Sequence, residues 1–157
     1  MKTVILAAGL GSRLGHHLPK GLLSPGSETL LQRSIRLLEQ ADLGPVTLVV
    51  GHQAQVYKDL LRGIDFVDNP DYASTGSLLS LRLAFQNLQD DLLVLESDLL
   101  YEARALPALL ASPEANALLL SGFTEAGDEV YVDAPDGRLR GMSKTRAELQ
   151  GPAMGEF

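Results

Sequence analysis

The stretch VILAAGLGSRLGHHLPKGLL, Val4 to Leu23, places Gly9, Gly11, Arg13 and Lys20 directly behind a short apolar run. Glycines let backbone amides approach an anion, and an arginine and a lysine bring positive charge to the same place. The chemistry these residues suit is the cradling of a polyphosphate. Two familiar phosphate loops fit poorly. A P-loop needs a lysine and then Ser or Thr directly after its second glycine, whereas Ser12 and Arg13 follow Gly11 here. The dinucleotide fingerprint needs a third glycine where Leu14 stands, and an acidic residue ending the second strand, where the chain has Val49 and Val50. Further along, Asp98 closes the apolar run DLLVLESD. An unpaired carboxylate at the end of a buried strand is costly, so a bound cation accounts for it, with capping of the next helix as the alternative. Mg²⁺ fits because it takes few protein carboxylates and completes its shell with water and substrate phosphates. Glu96 falls on the same strand face as Asp98, either beside the ion or orienting its ligand. His16 and His17 read as solvated loop residues rather than metal ligands.

These groups need a scaffold, and hydrophobic periodicity supplies one. Thr3 to Leu6 reads as a buried strand, and SETLLQRSIRLLEQ as a helix capped at Ser27. VTLVVG predicts a second strand, QAQVYKDLLRG a helix closed by Gly63, and IDFV a short strand. DNPDYASTG is a loop, SLLSLRLAFQNL a third helix and DLLVLESD another strand. ARALPALLAS gives a helix strained or capped around Pro107, and NALLLSG a further strand. Strands alternating with helices predict an α/β fold, a mostly parallel sheet with helices on both faces. Ligands in such sheets bind beyond the carboxyl ends of the strands, which puts the glycine loop and the ESD run at one edge. From Asp128 the pattern changes, and EVYVDAPDGRLRGMS predicts a β-hairpin turning at Asp136 and Gly137.

Composition narrows the functional classes. The 157 residues fit a single domain, 1–157, in which residues 1–100 carry the phosphate loop and residues 101–157 form a second segment. With no cysteine, disulfides and thiolate chemistry are excluded, in keeping with a cytoplasmic setting. Lys2 and the apolar TVILAAGL imitate a signal peptide, but the run is short and meets Arg13 without a small-residue cleavage site. No segment is long enough to span a membrane. A formal charge of −7 argues against a nucleic-acid partner. Through residue 50 there are five basic and three acidic residues, a net of +2, against −9 for the remainder. Positive charge therefore gathers around the glycine loop, as a small anionic ligand requires.

The string LAAGLGSRLG followed by PKGLL resembles the signature of the nucleotidyltransferases that activate sugars and alcohols. VVGHQAQVY, NPDYASTGSLLSL and LLVLESDLLYE resemble, in order, that superfamily's second-strand turn, base-side loop and metal aspartate. SGFTEAGDEVYV and MSKTRAEL most resemble the branch that transfers CMP to 2-aminoethylphosphonate, next to the branch that uses phosphocholine. The resemblance implies a Rossmann-like nucleotidyltransferase sheet with the C-terminal hairpin added. It implies attack of a phosphonate or phosphate oxygen of the acceptor on the α-phosphorus of CTP, with Mg²⁺ as cofactor and pyrophosphate leaving. Leu6, Ala7, Ala8, Gly9, Gly11 and Ser12 would line the nucleotide, Arg13 would meet the β and γ phosphates, and Lys20 the α phosphate. Asp98 would hold the metal, making Arg13, Lys20 and Asp98 the catalytic set. Thr75, Gly76 and Ser77 would contact the base, and Glu129, Tyr131, Ser143 and Lys144 the acceptor. A carboxylate or an aromatic face suits an ammonium, and a lysine suits a phosphonate.

Phosphocholine or a sugar phosphate as acceptor, and a non-catalytic nucleotide-binding module, are the alternatives. A homodimer is compatible with all of them. Superfamily members continue past the point matching GPAMGEF, where a later segment brings a second metal aspartate. The expectation is therefore of a fragment, or of a ligand supplied from elsewhere.

Overall fold

A computed structural model describes residues 1–11, 18–85, 91–124 and 129–156, which form two units, Met1–Leu106 and Pro107–Phe157. The first is built on four strands, β1 (Lys2–Ala7), β2 (Val46–Val50), β3 (Asp65–Asp68) and β4 (Leu92–Glu96). They pair in the order β3-β2-β1-β4, and every pairing is parallel. The two central strands consist almost wholly of buried aliphatic residues, among them Val4, Ile5, Leu48, Val49 and Val50. A parallel strand covered on both faces needs such a continuous apolar run. Parallel neighbours also require crossovers, which the helices α1 (Leu30–Gln40), α2 (Ala54–Leu60) and α3 (Ser77–Phe85) supply. Another helix, α4, spans Ala105–Leu110.

Helix α1 begins two residues later than the sequence suggests. Its cap is Thr29 rather than Ser27: the Thr29 hydroxyl accepts from the Gln32 amide at 3.1 Å, and the Gln32 side chain accepts from the Thr29 amide at 3.0 Å. This reciprocal capping box satisfies two donors at the helix start. Leu31, Leu37 and Leu38 then point into the core. Helix α3 packs on β1 and β2, where Ala84 joins Val4, Leu6 and Val49 in one buried cluster. The Thr3 hydroxyl donates to the Leu43 carbonyl at 2.7 Å and ties the end of the α1 connection to β1.

The second unit is a small antiparallel sheet of β5 (Tyr131–Asp133), β6 (Gly141–Ser143) and β7 (Gly155–Glu156), ordered β6-β5-β7. The predicted hairpin is present, with a 3-10 turn at Pro135–Gly137 joining β5 to β6. NALLLSG is a correction: it forms no strand, and only Ser121 makes an isolated bridge, to Glu156. Leu118 and Leu119 are substantially exposed. A leucine-rich run looks like a buried strand in sequence, but without a neighbouring ladder partner it stays irregular here.

Candidate active site

The carboxyl ends of β1 and β4 open into a cleft of about 340 Å³ lined by Gly9, Leu10, Gly11, Lys20, Ser97 and Asp98, among others. Lys20 begins the 3-10 turn Lys20–Leu22, which Pro19 precedes and whose Leu22 is buried. Gly21 lets this turn lie against Ser97: a Cβ there would come 3.0 Å from the Ser97 carbonyl oxygen and 3.1 Å from its Cβ. Ser97 is in turn fixed by its amide, which donates to the Leu6 carbonyl at 3.0 Å. The outcome is an ion pair at the mouth of the sheet, with Lys20 Nζ 3.3 Å from Asp98 Oδ2 and both side chains about one third exposed. Asp98 lies two residues beyond β4, and the next helix starts only at Ala105, so Asp98 does not cap it. Its carboxylate faces the cleft.

A second lobe of about 170 Å³ is lined by Ala8, Asn69, Tyr72, Thr75, Gly76 and Ser80. Leu6, Gly9, Ser77 and Glu96 line both lobes, which makes them the neck between the two. Asn69, only 1% exposed, organises the smaller lobe. Its Nδ2 donates to the Ser80 hydroxyl at 3.0 Å and to the Thr75 hydroxyl at 3.2 Å, while its Oδ1 accepts from the Asp71 amide at 3.0 Å. The Thr75 hydroxyl donates to the Asp71 carbonyl at 2.8 Å. Thr75 therefore braces the turn and lines the lobe at once.

Burial shapes the titration of two groups in the larger lobe. The Tyr57 hydroxyl is pushed up to about 12 by burial, which outweighs its hydrogen bond with Ser97; the nearby Asp98 charge adds to the rise. The Glu96 carboxyl is also raised, chiefly by burial, against a hydrogen bond with Ser77, and Asp98 again pushes upward. Among the described residues no group of three or more His, Asp or Glu converges. Asp98 is thus the carboxylate around which a cation site could form, with other oxygens drawn from outside the protein.

The sequence-predicted residues divide clearly. Leu6, Ala7, Gly9, Gly11, Lys20, Ser77 and Asp98 line the larger lobe, and Leu6, Ala8, Gly9, Thr75, Gly76 and Ser77 the smaller. Ser12, Arg13, His16 and His17 lie outside the described residues. In the second unit, Tyr131 and Ser143 are register partners on adjacent strands. Glu129 is buried just before β5, and Lys144 is exposed just after β6. The Ser143 hydroxyl donates to the Glu148 carboxylate.

Other residues here were not evident from sequence. The Arg146 guanidinium carbon sits 4.5 Å from the ring centres of both Phe123 and Tyr131. Asp133 and Glu156 are buried carboxylates, and one oxygen of each has no hydrogen-bond partner. In the first unit, Asn69, Tyr57 and Tyr72 escaped notice because their neighbours come from other elements. The NPDYASTG loop was the available signal: its resemblance to a base-side loop pointed to Thr75, Gly76 and Ser77 but not to Asn69 or Tyr72.

Residues 3–145 match the family described as the MobA-like NTP transferase domain. A CMP-5'-(3-aminopropyl)phosphonate synthase of Streptomyces rubellomurinus is 38% identical over 150 residues, which cover 88% of this chain and 24% of that protein. The chain thus spans about a quarter of that relative's length. The CTP:phosphocholine cytidylyltransferase of Streptococcus pneumoniae superposes with a TM-score of 0.57 at 29% identity, covering 62% of this chain and 44% of that one. The inositol-1-phosphate CTP transferase of T. maritima has a TM-score of 0.75 at 18% identity over 97% of this chain and 66% of its own, a likeness of fold.

Proposed function

This chain belongs to the MobA-like NTP transferase domain family, and we propose that it transfers CMP from CTP to an aminoalkylphosphonate, 2-aminoethylphosphonate first, releasing pyrophosphate. The observation that carries this reading is the two-lobed cleft at the strand ends, where the glycine loop, Lys20 and Asp98 come together. A nucleoside triphosphate has two chemically unlike ends, and the lobes differ accordingly. The larger offers backbone of Gly9 to Gly11 and an ammonium; the smaller is lined by Tyr72, Thr75 and Ser80 around the buried Asn69, whose amide protons are already donated to Thr75 and Ser80.

The reaction asks little covalent chemistry of the protein. The acceptor oxygen is already anionic, so no general base is required, and the work is positioning and neutralisation of charge. Lys20 neutralises charge that grows at the α phosphate as the acceptor oxygen approaches and pyrophosphate departs. The loop Ala8 to Ser12 orients the phosphates through its amides, and Arg13 meets the β and γ groups. Asp98 fits a hard divalent cation, because its carboxylate faces an open cleft and the triphosphate supplies the remaining oxygens. Mg²⁺ held by Asp98 would supply Lewis-acid neutralisation of phosphate charge. Thr75, Gly76 and Ser77 serve the base, and Glu129, Tyr131, Ser143 and Lys144 the acceptor.

The Streptomyces relative's name supports the phosphonate acceptor. Phosphocholine is the second reading, favoured by the pneumococcal likeness and by the Phe123 and Tyr131 rings, which already hold a cation between them. The test is pyrophosphate release from CTP and Mg²⁺ with a panel of 2-aminoethylphosphonate, 3-aminopropylphosphonate, phosphocholine and glucose 1-phosphate. Fastest turnover with an aminoalkylphosphonate supports the proposal, and fastest turnover with glucose 1-phosphate overturns it.

A further inference from the structure

Glu96 stands at the neck where the two lobes meet, and the transfer reaction as laid out does not require it. A carboxylate is an awkward neighbour for a triphosphate. It adds negative charge beside Asp98, in a cleft whose positive charge is needed for phosphates. Its position identifies what would make it favourable. If the triphosphate occupies the lobe of Lys20 and Asp98 and the base occupies the lobe of Asn69 and Tyr72, the sugar between them lies at the neck. There the described polar side chains are Glu96 and Ser77, hydrogen-bonded to one another. Glu96 is the last residue of β4, paired in register with Leu6 of β1, so it is carried by the rigid centre of the sheet rather than by a loop.

A ribose presents two adjacent hydroxyl donors, and a carboxylate presents two acceptor oxygens at matching spacing. A carboxylate on a ribose 2′-hydroxyl is an established solution in other nucleotide folds. We propose that Glu96, braced by Ser77, accepts hydrogen bonds from the ribose hydroxyls and makes this site selective for ribonucleotides over 2′-deoxyribonucleotides. The assignment rests on the nucleotidyltransferase reading and deepens it by naming the sugar that the site selects.

The experiment measures equilibrium binding of CTP, UTP, ATP and GTP and of their 2′-deoxy counterparts, each with Mg²⁺, to the chain and to Glu96→Gln and Glu96→Ala, by calorimetry. Circular dichroism checks that each variant is folded. For the tightest ribonucleotide, the wild type is expected to favour ribose over deoxyribose by about tenfold or more, the scale of a hydrogen bond to a charged group. Glu96→Ala should bring the pair within about threefold by weakening the ribonucleotide more than its 2′-deoxy counterpart, which loses only the bond from its 3′-hydroxyl, with Glu96→Gln in between. A structural role for Glu96 would weaken both sugars equally, and that result overturns the assignment. So does a wild type that binds the two sugars alike, a result that needs no variant. In both cases nucleotide binding persists and the nucleotidyltransferase reading stands, whereas a chain that binds none of the eight loses both.

Discussion

Lys20 Nζ and Asp98 Oδ2 lie 3.3 Å apart, so the two groups assigned opposite tasks in the reaction are each other's electrostatic partners. Both are about one third exposed, and a pair so solvated is weak. A divalent cation at Asp98 must compete with Lys20 for the carboxylate. Lys20→Met should therefore tighten Mn²⁺ binding by about two- to fivefold, the scale of a partly exposed ion pair. The same variant should slow pyrophosphate release by roughly a hundredfold or more, with little change in KM, because the charge Lys20 meets develops in the transition state. Electron paramagnetic resonance of free Mn²⁺ reads the first effect and steady-state kinetics the second. Unchanged Mn²⁺ affinity would show that Asp98 is not where the metal binds.

Asp98→Asn removes the same pair from the other side. It should abolish the enhancement of CTP binding by Mg²⁺, since the remaining amide oxygen is a poor ligand for a hard cation. Binding of CTP without metal should hold or strengthen, because Lys20 is released to the phosphates and a repelling carboxylate is gone. Calorimetry with and without EDTA checks both, and a Mg²⁺ enhancement that survives in the variant contradicts the ligand role.

The legible regions of this molecule were those written locally. Apolar runs such as TVILA and VTLVV became the central parallel strands, and the DG pair marked the hairpin, because strand burial and turn chemistry act over a few residues. The glycine loop and Asp98 could be placed at one edge because parallel strands share a direction. Asn69 was not legible as an organiser of the smaller lobe, since its partners Thr75 and Ser80 belong to a turn and to α3. Tyr57 falls inside the predicted helix QAQVYKDLLRG with nothing to single it out, and only tertiary packing sets its hydroxyl towards Ser97. NALLLSG misled for the converse reason: its pattern is that of a strand, but pairing depends on a neighbour the pattern cannot specify.

Tyr57 makes stability pH-dependent in a defined window. Its hydroxyl titrates near 10 when unfolded and at about 12 when folded, because burial disfavours the phenolate. Below pH 10 both states keep the proton and the group contributes no slope. Between pH 10 and 12 the unfolded state loses its proton first, so stability falls with rising pH by about 3 kcal/mol in total. Urea unfolding at pH 9, 10 and 11 should show this decline. Lysines titrate in the same range, so the comparison is with Tyr57→Phe, whose decline from pH 9 to 11 should be shallower by about 1.4 kcal/mol, half of that total. Equal slopes in the two proteins would place the Tyr57 hydroxyl in water.

Gly51 follows β2 directly, and a Cβ there would come 2.5 Å from the Tyr72 Cβ, 2.8 Å from its Cγ and 2.9 Å from the Ala8 carbonyl oxygen. None of these atoms is the free end of a flexible chain, so Gly51→Ala must move backbone. The Ala8 carbonyl also accepts from the His52 amide at 3.2 Å, a bond the shift would strain. Overpacking of this kind costs about 1–3 kcal/mol, which denaturant melts should register. The displaced residues, Ala8 and Tyr72, line the smaller lobe, whereas Lys20 and Asp98 line only the larger. CTP binding should therefore weaken by about tenfold in the variant, while Mg²⁺-pyrophosphate, which needs only the larger lobe, binds as before. Equal losses for both ligands would mean that the lobes do not divide the nucleotide between base and phosphates, and the assignment of a sugar to the neck would fail with them.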